Sequence, residues 1–376
     1  MRQALRLARK GLGATSPNPT VGAVLVKNGK IIGRGRTAPA GGPHAEIAAL
    51  RDAQKNGRST FGATLFVTLE PCCTHGRTPP CTDAIIASEI KKVVVAATDP
   101  NPQHAGKGFK ILARAGIEVV AGILSDECAQ LNEVFNHWIV WRTPFITVKA
   151  AMTLDGKIAT ASGESKWITG EKAREYGMKL RLASDAILVG INTILADNPS
   201  LTARIQNSEF RIHNKNPRLR RIILDSMART PVAAKVVADE FASLTTIIVS
   251  NSAPKKRVAA LAKRVNVLIA PAKENSSLLT PHSSLDLRWL LKKLGSQNVS
   301  SLLIEGGGEV NASFLLGGLA QRVAFFYAPK ILGGRDARKG VAGDGAEKLS
   351  DVVQLEGVQW RKLDEDLLLT AKVVSG

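Results

Sequence analysis

The sequence contains few cysteines, few aromatic residues and no long apolar run, and each shortage excludes a class of protein. Four cysteines in 376 residues are too few for a disulfide framework. No apolar run reaches the length of a transmembrane helix. The opening "MRQALRLARKGLG" lacks the apolar block and small-residue cleavage site of a secretory signal. We therefore expect a soluble protein of a reducing compartment, the cytoplasm or an equivalent organelle interior, with no membrane partner.

Acidic residues are also scarce: the chain has 32 Asp and Glu but 51 Lys and Arg, so its formal net charge is +19. Nucleic-acid binding would explain such a charge, because a basic surface attracts phosphates. A basic solvated surface with some arginines that bind small phosphorylated ligands would explain it as well. The basic residues are spread along the chain and no aromatic residues alternate with them. This pattern favours the second explanation and predicts no nucleic-acid partner.

The length indicates two domains, because one core rarely serves so long a chain. We place them at residues 1–143 and 144–376. In the first domain short apolar runs alternate with amphipathic stretches, which is typical of an α/β domain. Its expected elements are a hairpin over 21–35 with an Asn28-Gly29 turn, helices over 44–57 and 82–90, and strands over 63–69 and 92–99.

The second domain restarts the alternation after Thr143-Pro144 and is also expected to be α/β. Its apolar runs, with helix-like segments between several of them, predict strands over 185–190, 221–226, 244–250, 265–270, 301–308 and 322–332. The polar stretch 205–219 predicts a surface loop. Neither domain resembles the other, so the chain has no internal repeat.

Three of the four cysteines lie in one segment, "TLEPCCTHGRTPPC" over residues 68–81. A catalytic zinc ion needs three nitrogen or sulfur ligands and a position for water. His44 and Cys81 both stand where a helix is predicted to begin, and Cys72 follows a predicted strand. Glu46 lies two residues after His44, where it can carry protons without binding the metal. This is the order of groups in zinc-dependent nucleobase deaminases.

Other interpretations of this segment are weaker. A His-x-Glu alone occurs by chance, and Pro-Cys-Cys alone is usually a turn or a buried pair. A redox pair is disfavoured, because a bridge between the adjacent Cys72 and Cys73 would be strained and no C-x-x-C spacing is present. The combination in the right order, with a strand-like run between its parts, favours zinc. Eight residues separate the ligand cysteines, where the general deaminase pattern has two.

A second pattern, "SLLIEGGGEVNASFLLGG", runs from an apolar strand through three glycines into a helix that begins near Glu309. Such a loop lets backbone N–H groups and a helix N-terminus approach a phosphate. Strand–glycine–helix turns are as often only structural, and the pattern is not G-x-G-x-x-G. The residues alone therefore leave a phosphate site and a structural turn equally open.

Longer stretches of the chain resemble a known family. "SPNPTVGAVLV", "PHAE", "PCCTHGRTPPC" and "DPNPQHAGKG" are similar to motifs of the pyrimidine deaminase domain of the bifunctional riboflavin-biosynthesis deaminase/reductase. "TLDGKIATASGESKWITG" and "ILADNPSLTAR" resemble its reductase domain. The resemblance covers nearly the whole chain. It implies a cytidine-deaminase-like three-layer α/β/α domain followed by a dihydrofolate-reductase-like α/β domain, not a Rossmann domain.

For the first domain the resemblance implies that His44, Cys72 and Cys81 bind Zn²⁺ and that Glu46 shuttles the proton. Cys73 falls at a variable position and is interpreted as a bystander. The family often has a histidine two residues after the first cysteine, whereas this chain has Thr74 there and a histidine one position later. The implied substrate contacts are Asn18, Arg77, Asp99 and Asn101. His104 and His137 match no motif and are expected at the surface or between the domains.

For the second domain the resemblance implies an NADPH site and a substrate site. The implied cofactor contacts are Ala151, Trp167, Thr193, Asp197, Ser226, Gly307, Gly308, Glu309, Val310, Asn311, Ala312 and Ser313. The implied substrate contacts are Ser165, Arg181, Leu201, Arg204 and Glu305. A pair of arginines is a suitable clamp for a ribose phosphate. Lys149 and Asp155 flank the start of the same site and are plausible contributors.

The resemblance implies two consecutive reactions on a small phosphorylated pyrimidine. The first domain would hydrolytically deaminate 2,5-diamino-6-(5-phosphoribosylamino)pyrimidin-4(3H)-one, and the second would reduce the ribosyl chain to ribityl with NADPH. Two alternatives stay open: a tRNA-type nucleic-acid deaminase with an accessory domain, and a protein in which only the deaminase half is active. A homo-oligomer is expected.

Overall fold

The computed structural model of the protein describes residues 1–76, 78–203, 219–271 and 285–374. The chain divides into two compact units, Met1–Arg142 and Thr143–Gly376. Within the described ranges, no helix has the length and apolar character needed to cross a membrane.

The described residues of the first unit form a sheet of five strands in the order β2-β1-β3-β4-β5. The strands are β1 (Gly22–Lys27), β2 (Lys30–Arg36), β3 (Thr64–Leu69), β4 (Lys92–Ala97) and β5 (Glu118–Val120). The helices are α1 (Arg2–Arg9), α2 (Ala45–Lys55), α3 (Cys81–Ala87), α4 (Lys107–Arg114), α5 (Ser125–Leu131) and α6 (Glu133–Trp141). β1 runs antiparallel to β2 and β3, whereas β3, β4 and β5 are parallel.

Helices α1 and α2 cover opposite faces of this sheet and come unusually close to it. A Cβ atom on Gly22 would lie 1.9 Å from the carbonyl oxygen of Ala4 in α1. One on Gly35 would lie 2.1 Å from the carbonyl oxygen of Ala45 in α2. Gly35 pairs with Ala23, the residue after Gly22, so the two glycines face opposite sides. Glycine at these positions thus permits the three-layer arrangement and places the first turn of α2 directly against β2.

The described residues of the second unit form a nine-stranded sheet and a two-stranded ribbon of β14 and β7. The strands are β6 (Phe145–Thr153), β7 (Lys157–Ala159), β8 (Ala186–Gly190), β9 (Arg220–Leu224), β10 (Thr245–Val249), β11 (Asn266–Ile269), β12 (Ser301–Ile304), β13 (Arg322–Ala328), β14 (Arg338–Lys339), β15 (Leu355–Leu363) and β16 (Asp366–Val373). The helices are α7 (Glu171–Leu182), α8 (Ile191–Asp197), α9 (Lys235–Ala238), α10 (Lys255–Ala262), α11 (Leu287–Ser296) and α12 (Gly308–Leu315).

The large sheet has the order β11-β10-β9-β8-β12-β6-β13-β16-β15. The strands from β11 to β13 pair in parallel, and β16 and β15 add an antiparallel end. Ile146, Leu188, Ile222 and Leu302, from four central strands, are at most 1% exposed and lie in one apolar core. In such sheets ligands bind outside the carboxyl ends of the parallel strands. That edge is where β8, β9 and β12 each pass into a loop or helix.

Candidate active sites

Three predicted zinc ligands lie together in the first unit. His44 is the residue before α2, Cys81 is the first residue of α3, and Cys72 lies three positions after β3. The Nδ1 atom of His44 is 3.5 Å from the sulfur of Cys72 and 3.3 Å from the sulfur of Cys81. The three ligand atoms all lie within 4.8 Å of one another. Two helix N-termini and the end of a strand thus bring one nitrogen and two sulfurs to one point.

This donor set fits a zinc ion. One imidazole and two thiols supply three ligands of the kind zinc prefers and leave a position for water. Hydrogen bonding from the Cys81 thiol and from His44 lowers the pKa of Cys72. The same hydrogen bond to Cys72 raises the pKa of Cys81. Among the described residues, this is the one cluster of three such side chains close enough to share an ion.

Glu46 lies in the first turn of α2, two residues from His44, and is 4% exposed. Burial raises the pKa of its carboxyl group to about 7. A carboxyl with this pKa can both accept and release a proton near neutral pH. Its position and burial match the requirements of a proton carrier beside the metal ligands.

Two predicted substrate contacts of the deaminase lie in the loop after β4, where Asp99 is close enough to Cys72 for their charges to interact. Asp99 and Asn101 follow β4, are 5% and 8% exposed, and are linked by a hydrogen bond from the Asn101 N–H to Asp99 Oδ1 (2.9 Å). Burial raises the pKa of Asp99 to about 6. Asn18 is half-buried, and its backbone N–H donates to the Thr15 carbonyl. Arg77 lies outside the described residues.

His104 does not lie at the surface, which was one of the two positions expected for it. The side chain is 8% exposed, and its Nδ1 atom is 3.5 Å from the sulfur of Cys73 and 3.4 Å from the Cys73 backbone nitrogen. The cause is a tight turn in which the N–H of His104 donates to the carbonyl of Asn101, which folds the ring back toward the cysteine segment. Cys73 therefore packs against a histidine that the sequence patterns did not connect with it.

Sequence reasoning missed Glu70, which directly precedes Pro71-Cys72. Its buried carboxylate accepts hydrogen bonds from the N–H groups of Asp99 (3.2 Å), Gly106 (2.9 Å) and Gly108 (3.0 Å). Glu70 thus connects the end of β3, which leads to Cys72, with the loop that contains Asp99. An acidic residue at the buried end of an apolar strand was the available signal, since a buried carboxylate needs several donors.

Replacing Glu70 with glutamine puts an N–H donor where an acceptor stands, so at least one loop N–H loses its partner. We expect the free energy of unfolding to fall by about 1–3 kcal/mol. The KM for deamination should rise roughly tenfold, equivalent to ~1.4 kcal/mol, with zinc content unchanged. Glu118→Gln, at an exposed carboxylate that binds Lys92, is the matched control and should change neither quantity. Unaltered KM and stability in Glu70→Gln would show that the carboxylate does not organise the loop.

The second unit contains a cavity of about 1220 Å³ at the carboxyl edge of its parallel strands. The loop between β12 and α12 forms part of its wall, together with the ends of β8 and β9. Predicted cofactor and substrate residues that line it are Ser165, Thr193, Asp197, Ser226, Glu305, Gly307, Gly308, Glu309, Val310 and Ser313.

Several other predicted residues are not among those that line the cavity. Asn311 is fully buried and its side-chain amide donates to the carbonyl of Gly340 (2.8 Å). Ala312 and Leu201 are buried at 1% and 3% exposure. Trp167 is 67% exposed, with the Arg174 guanidinium 4.7 Å from its ring centre. Of the two further predicted contacts, Ala151 is half-buried in β6 and Arg204 lies outside the described residues.

Arg181 and Glu305, both predicted substrate contacts, bind each other. Nε and Nη2 of Arg181 donate to the two carboxylate oxygens of Glu305 at 2.9 and 2.8 Å, and Nη1 donates to the Thr202 carbonyl at 2.9 Å. Lys149 Nζ lies 3.7 Å from Glu305 Oε2. Burial raises the pKa of Glu305, but the charges of Lys149 and Arg181 outweigh that effect and lower it to about 2. The result is a charged triad with one net positive charge at the end of β12.

Asp155, which the sequence suggested as a contributor to the reductase site, stabilises a loop of this unit. Hydrogen bonds from the Thr153 hydroxyl (2.6 Å) and the N–H groups of Leu332 (3.1 Å) and Gly333 (2.8 Å) lower its pKa to about 2. Its two oxygens thereby hold the loop after β13 against the end of β6.

The glycine loop fits a bound dinucleotide phosphate. Gly307 has an ordinary backbone conformation, with φ −71° and ψ 178°, and no atom lies within 4 Å of the place where its Cβ would be. Neither backbone strain nor packing therefore requires glycine here. A side chain would extend into the open cavity, in front of the N-terminus of α12, where backbone N–H groups favour a phosphate. This observation favours the phosphate site over a purely structural turn.

Comparisons with known proteins agree with these two sites. Residues 1–97 match the family model described as the cytidine and deoxycytidylate deaminase zinc-binding region, and residues 144–369 match the RibD C-terminal domain. The riboflavin biosynthesis protein RibD of Actinobacillus pleuropneumoniae is 42% identical over 100% of this chain and 95% of its own length. RibD of Escherichia coli K12 is 39% identical over 98% of this chain and 97% of its own.

Two solved structures are similar over nearly the whole chain. RibD of Acinetobacter baumannii has a TM-score of 0.84 at 36% identity, covering 99% of this chain and 97% of its own. The Thermotoga maritima protein described as a diaminohydroxyphosphoribosylaminopyrimidine deaminase/5-amino-6-(5-phosphoribosylamino)uracil reductase has a TM-score of 0.80 at 35% identity, covering 100% and 97%.

The folds and sites define an enzyme that joins a zinc-dependent deaminase to an NADPH-dependent reductase. Its substrate is a small molecule, and both reactions belong to riboflavin biosynthesis. The chain belongs to the RibD family of riboflavin biosynthesis proteins. The family, the α/β fold of each domain, the two activities and the two cofactors predicted from the sequence are therefore confirmed.

Proposed function

We propose that residues 1–143 carry the deaminase, with His44, Cys72 and Cys81 as zinc ligands and Glu46 as the proton carrier. The observation that supports this most is the meeting of one imidazole and two thiols at two helix N-termini, beside a buried carboxyl with a pKa of about 7. The substrate is 2,5-diamino-6-(5-phosphoribosylamino)pyrimidin-4(3H)-one, with Asn18, Arg77, Asp99 and Asn101 around the pyrimidine or its phosphate.

When bound, a zinc ion supplies a water whose pKa is low enough for attack at neutral pH. Glu46 accepts a proton from the attacking water, whose oxygen forms a bond to C2 of the pyrimidine. The same carboxyl then donates the proton to the departing 2-amino nitrogen, the C–N bond breaks, and ammonia leaves. Burial of Glu46 keeps its two protonation states close in energy, so neither half of this transfer is strongly uphill.

We propose that residues 144–376 carry the reductase. NADPH supplies the hydride that reduces C1′ of the ribosyl chain. Gly307 to Ser313 hold its phosphates at the N-terminus of α12, and Thr193, Asp197 and Ser226 lie along the same wall. Glu305 fixes Arg181 and Lys149, which keep positive charge beside the ribose phosphate chain. Ala151, Trp167, Ser165, Leu201 and Arg204 complete the proposed contacts.

The proposal further includes the bacterial cytoplasm or a plastid as location, a homo-oligomeric assembly, and no nucleic-acid partner. The bacterial origin of the relatives supports the bacterial cytoplasm. The open glycine loop, which suits a free dinucleotide, supports an enzyme of small molecules and not of nucleic acids.

Removal of the metal tests the deaminase half. The full-length protein treated with a zinc chelator should stop releasing ammonia from the diaminopyrimidine, yet it should still oxidise NADPH when given the deaminated compound. Added Zn²⁺ should restore ammonia release. Cys81→Ser should lose its zinc, whereas Cys73→Ser, the matched control next to a ligand, should keep about one zinc ion per chain.

Ammonia release that survives both chelation and Cys81→Ser would contradict the zinc assignment. Deamination of a tRNA, without NADPH consumption on any pyrimidine, would support the nucleic-acid alternative. Ammonia release from the pyrimidine without any NADPH oxidation would show that only the deaminase half is active.

A further inference from the structure

The loop of residues 73–80 separates the two cysteines of the proposed zinc site by eight residues, where the general deaminase pattern has two. The end of this loop is stiff, because Pro79 and Pro80 have restricted φ angles and no N–H groups. Pro80 is extended, with φ −62° and ψ 140°, and leads directly into Cys81 at the start of α3. Thr78, the residue before the two prolines, therefore lies at a nearly fixed distance from Cys81.

The side chain of Thr78 contacts the imidazole of His44. Its Oγ1 atom is 3.5 Å from Nε2 of the ring. Nδ1, the other ring nitrogen, is the atom that lies 3.5 Å from the sulfur of Cys72 and 3.3 Å from that of Cys81. The Thr78 carbonyl accepts a hydrogen bond from the N–H of Gly76 (3.2 Å), so a turn fixes the backbone of the threonine. Among the residues that the structure describes, Thr78 is the one hydrogen-bonding partner of Nε2.

Metal binding through Nδ1 decides which nitrogen of His44 carries the proton. A ligand nitrogen offers its lone pair to the ion, so a neutral imidazole that binds through Nδ1 carries its hydrogen on Nε2. Nε2–H is then a donor, and the hydroxyl oxygen of Thr78 is the acceptor beside it. A half-turn of the ring about its Cβ–Cγ bond would break this contact and turn a carbon atom toward the sulfurs. The hydroxyl thus favours the ring orientation that can bind a metal ion.

We propose that Thr78 is a positioning residue of the zinc site: its hydroxyl oxygen accepts a hydrogen bond from Nε2–H of His44 and holds Nδ1 toward the ion. This inference rests on the zinc ligands of the proposed function. Histidine ligands usually donate their second N–H to an oxygen atom, and loss of that partner lowers metal affinity. The long spacing of the cysteines thereby gains a role, because one of the inserted residues reaches the imidazole. Thr78 acts on the ion through His44 and is not itself a ligand.

The zinc affinity of the full-length protein, measured by competition with a chelator of known affinity, tests this role without turnover. Thr78→Val keeps the shape of the side chain but removes the hydroxyl, and it should weaken zinc binding roughly 10- to 100-fold. Thr78→Ser keeps the hydroxyl and should retain most of the wild-type affinity. Thr74→Val, the same change at an exposed threonine of the same loop, is the matched control and should bind zinc as tightly as the wild type.

The N–H group of the His44 ring gives a second readout, which reports on the hydrogen bond itself. The chain has six histidines, so histidine labelled with ¹⁵N gives a simple magnetic-resonance spectrum. At saturating zinc, the Nε2–H of His44 should exchange slowly with water in the wild type and in Thr78→Ser. It should exchange measurably faster in Thr78→Val, because the proton has lost its partner. Saturating zinc should also restore ammonia release in Thr78→Val, since the variant lacks affinity for the ion and not the catalytic groups.

The outcomes separate this inference from the function on which it rests. Wild-type zinc affinity in Thr78→Val, an equal loss of affinity in Thr74→Val, or a full loss in Thr78→Ser would each overturn the role of the Thr78 hydroxyl. A Thr78→Val protein that releases no ammonia even at saturating zinc would overturn it as well, because the hydroxyl would then serve more than the metal. Failure of the wild-type protein to bind zinc, or wild-type zinc affinity in Cys81→Ser, would overturn the proposed ligands instead.

Discussion

Replacing Glu46 with glutamine should lower the rate of ammonia release by roughly 10²–10⁴-fold, the usual contribution of a positioned proton carrier. The amide has nearly the same shape as the carboxyl group, but it cannot accept the proton of the attacking water. Since Glu46 is not among the three clustered ligand residues, the zinc content should stay unchanged. Ammonia release from the diaminopyrimidine and bound zinc are measured on the same preparation.

The second activity of the chain supplies the control for this variant. Glu46→Gln should oxidise NADPH at the wild-type rate when it is given the deaminated pyrimidine, and hardly at all when it is given the diaminopyrimidine. That pair of results would also establish that deamination precedes reduction. A variant that deaminates at a tenth or more of the wild-type rate would show that another group carries the proton.

Replacing Glu305 with glutamine should destabilise the second unit by about 3–5 kcal/mol, because two partly buried cations, Arg181 and Lys149, lose their common counter-charge. For a unit of this size the loss corresponds to a fall in Tm of roughly 6–20 °C. Calorimetry of the full-length protein should show the shift in one transition. Reductase activity should fall as well, since Glu305 fixes both cations and lines the cavity.

The pH dependence of this effect has a defined sign. The folded-state pKa of Glu305 is depressed from 4.5 to about 2, so its stabilising effect is complete above about pH 4.5 and is lost as the pH falls toward 2. The difference in Tm between wild type and Glu305→Gln should therefore be constant near neutrality and shrink in acid. Asp364→Asn, which removes the exposed partner of Lys172, should change Tm little. A similar Tm in both variants would contradict the importance of the triad.

Strands with continuous apolar character were predictable from the sequence, whereas the exposed strand β15 was not. The runs over 63–69 and 92–99 contain β3 and β4, and the run over 221–226 overlaps β9, because parallel strands buried on both faces need apolar residues throughout. Strand β15 is exposed along nearly its whole length, so its sequence has no apolar alternation. It was not predicted, since its pairing with β16 alone defines it.

The same contrast holds for the candidate site. The grouping of His44, Cys72 and Cys81 was predictable, because metal chemistry restricts the types and the spacing of such residues, and their ligand atoms lie within 4.8 Å of one another. Glu70 acts through a fixed backbone, because its carboxylate accepts hydrogen bonds from three N–H groups of a distant loop. Ordinary charged residues of this kind give no spacing signal, and their roles appear only when the loops are brought together in space. His104 was misplaced for the same reason.

The close contact of α2 with β2 has a consequence for metal affinity. At Gly35 the helix rests on the strand backbone to backbone, so its height above the sheet does not depend on the rotamers of intervening side chains. Ala45, which makes that contact, directly follows His44. The imidazole is thus pre-organised before any ion arrives, and little conformational entropy is lost when it binds. A bulkier residue at position 35 would displace the first turn of α2, and His44 with it, and would weaken zinc binding although it touches no ligand.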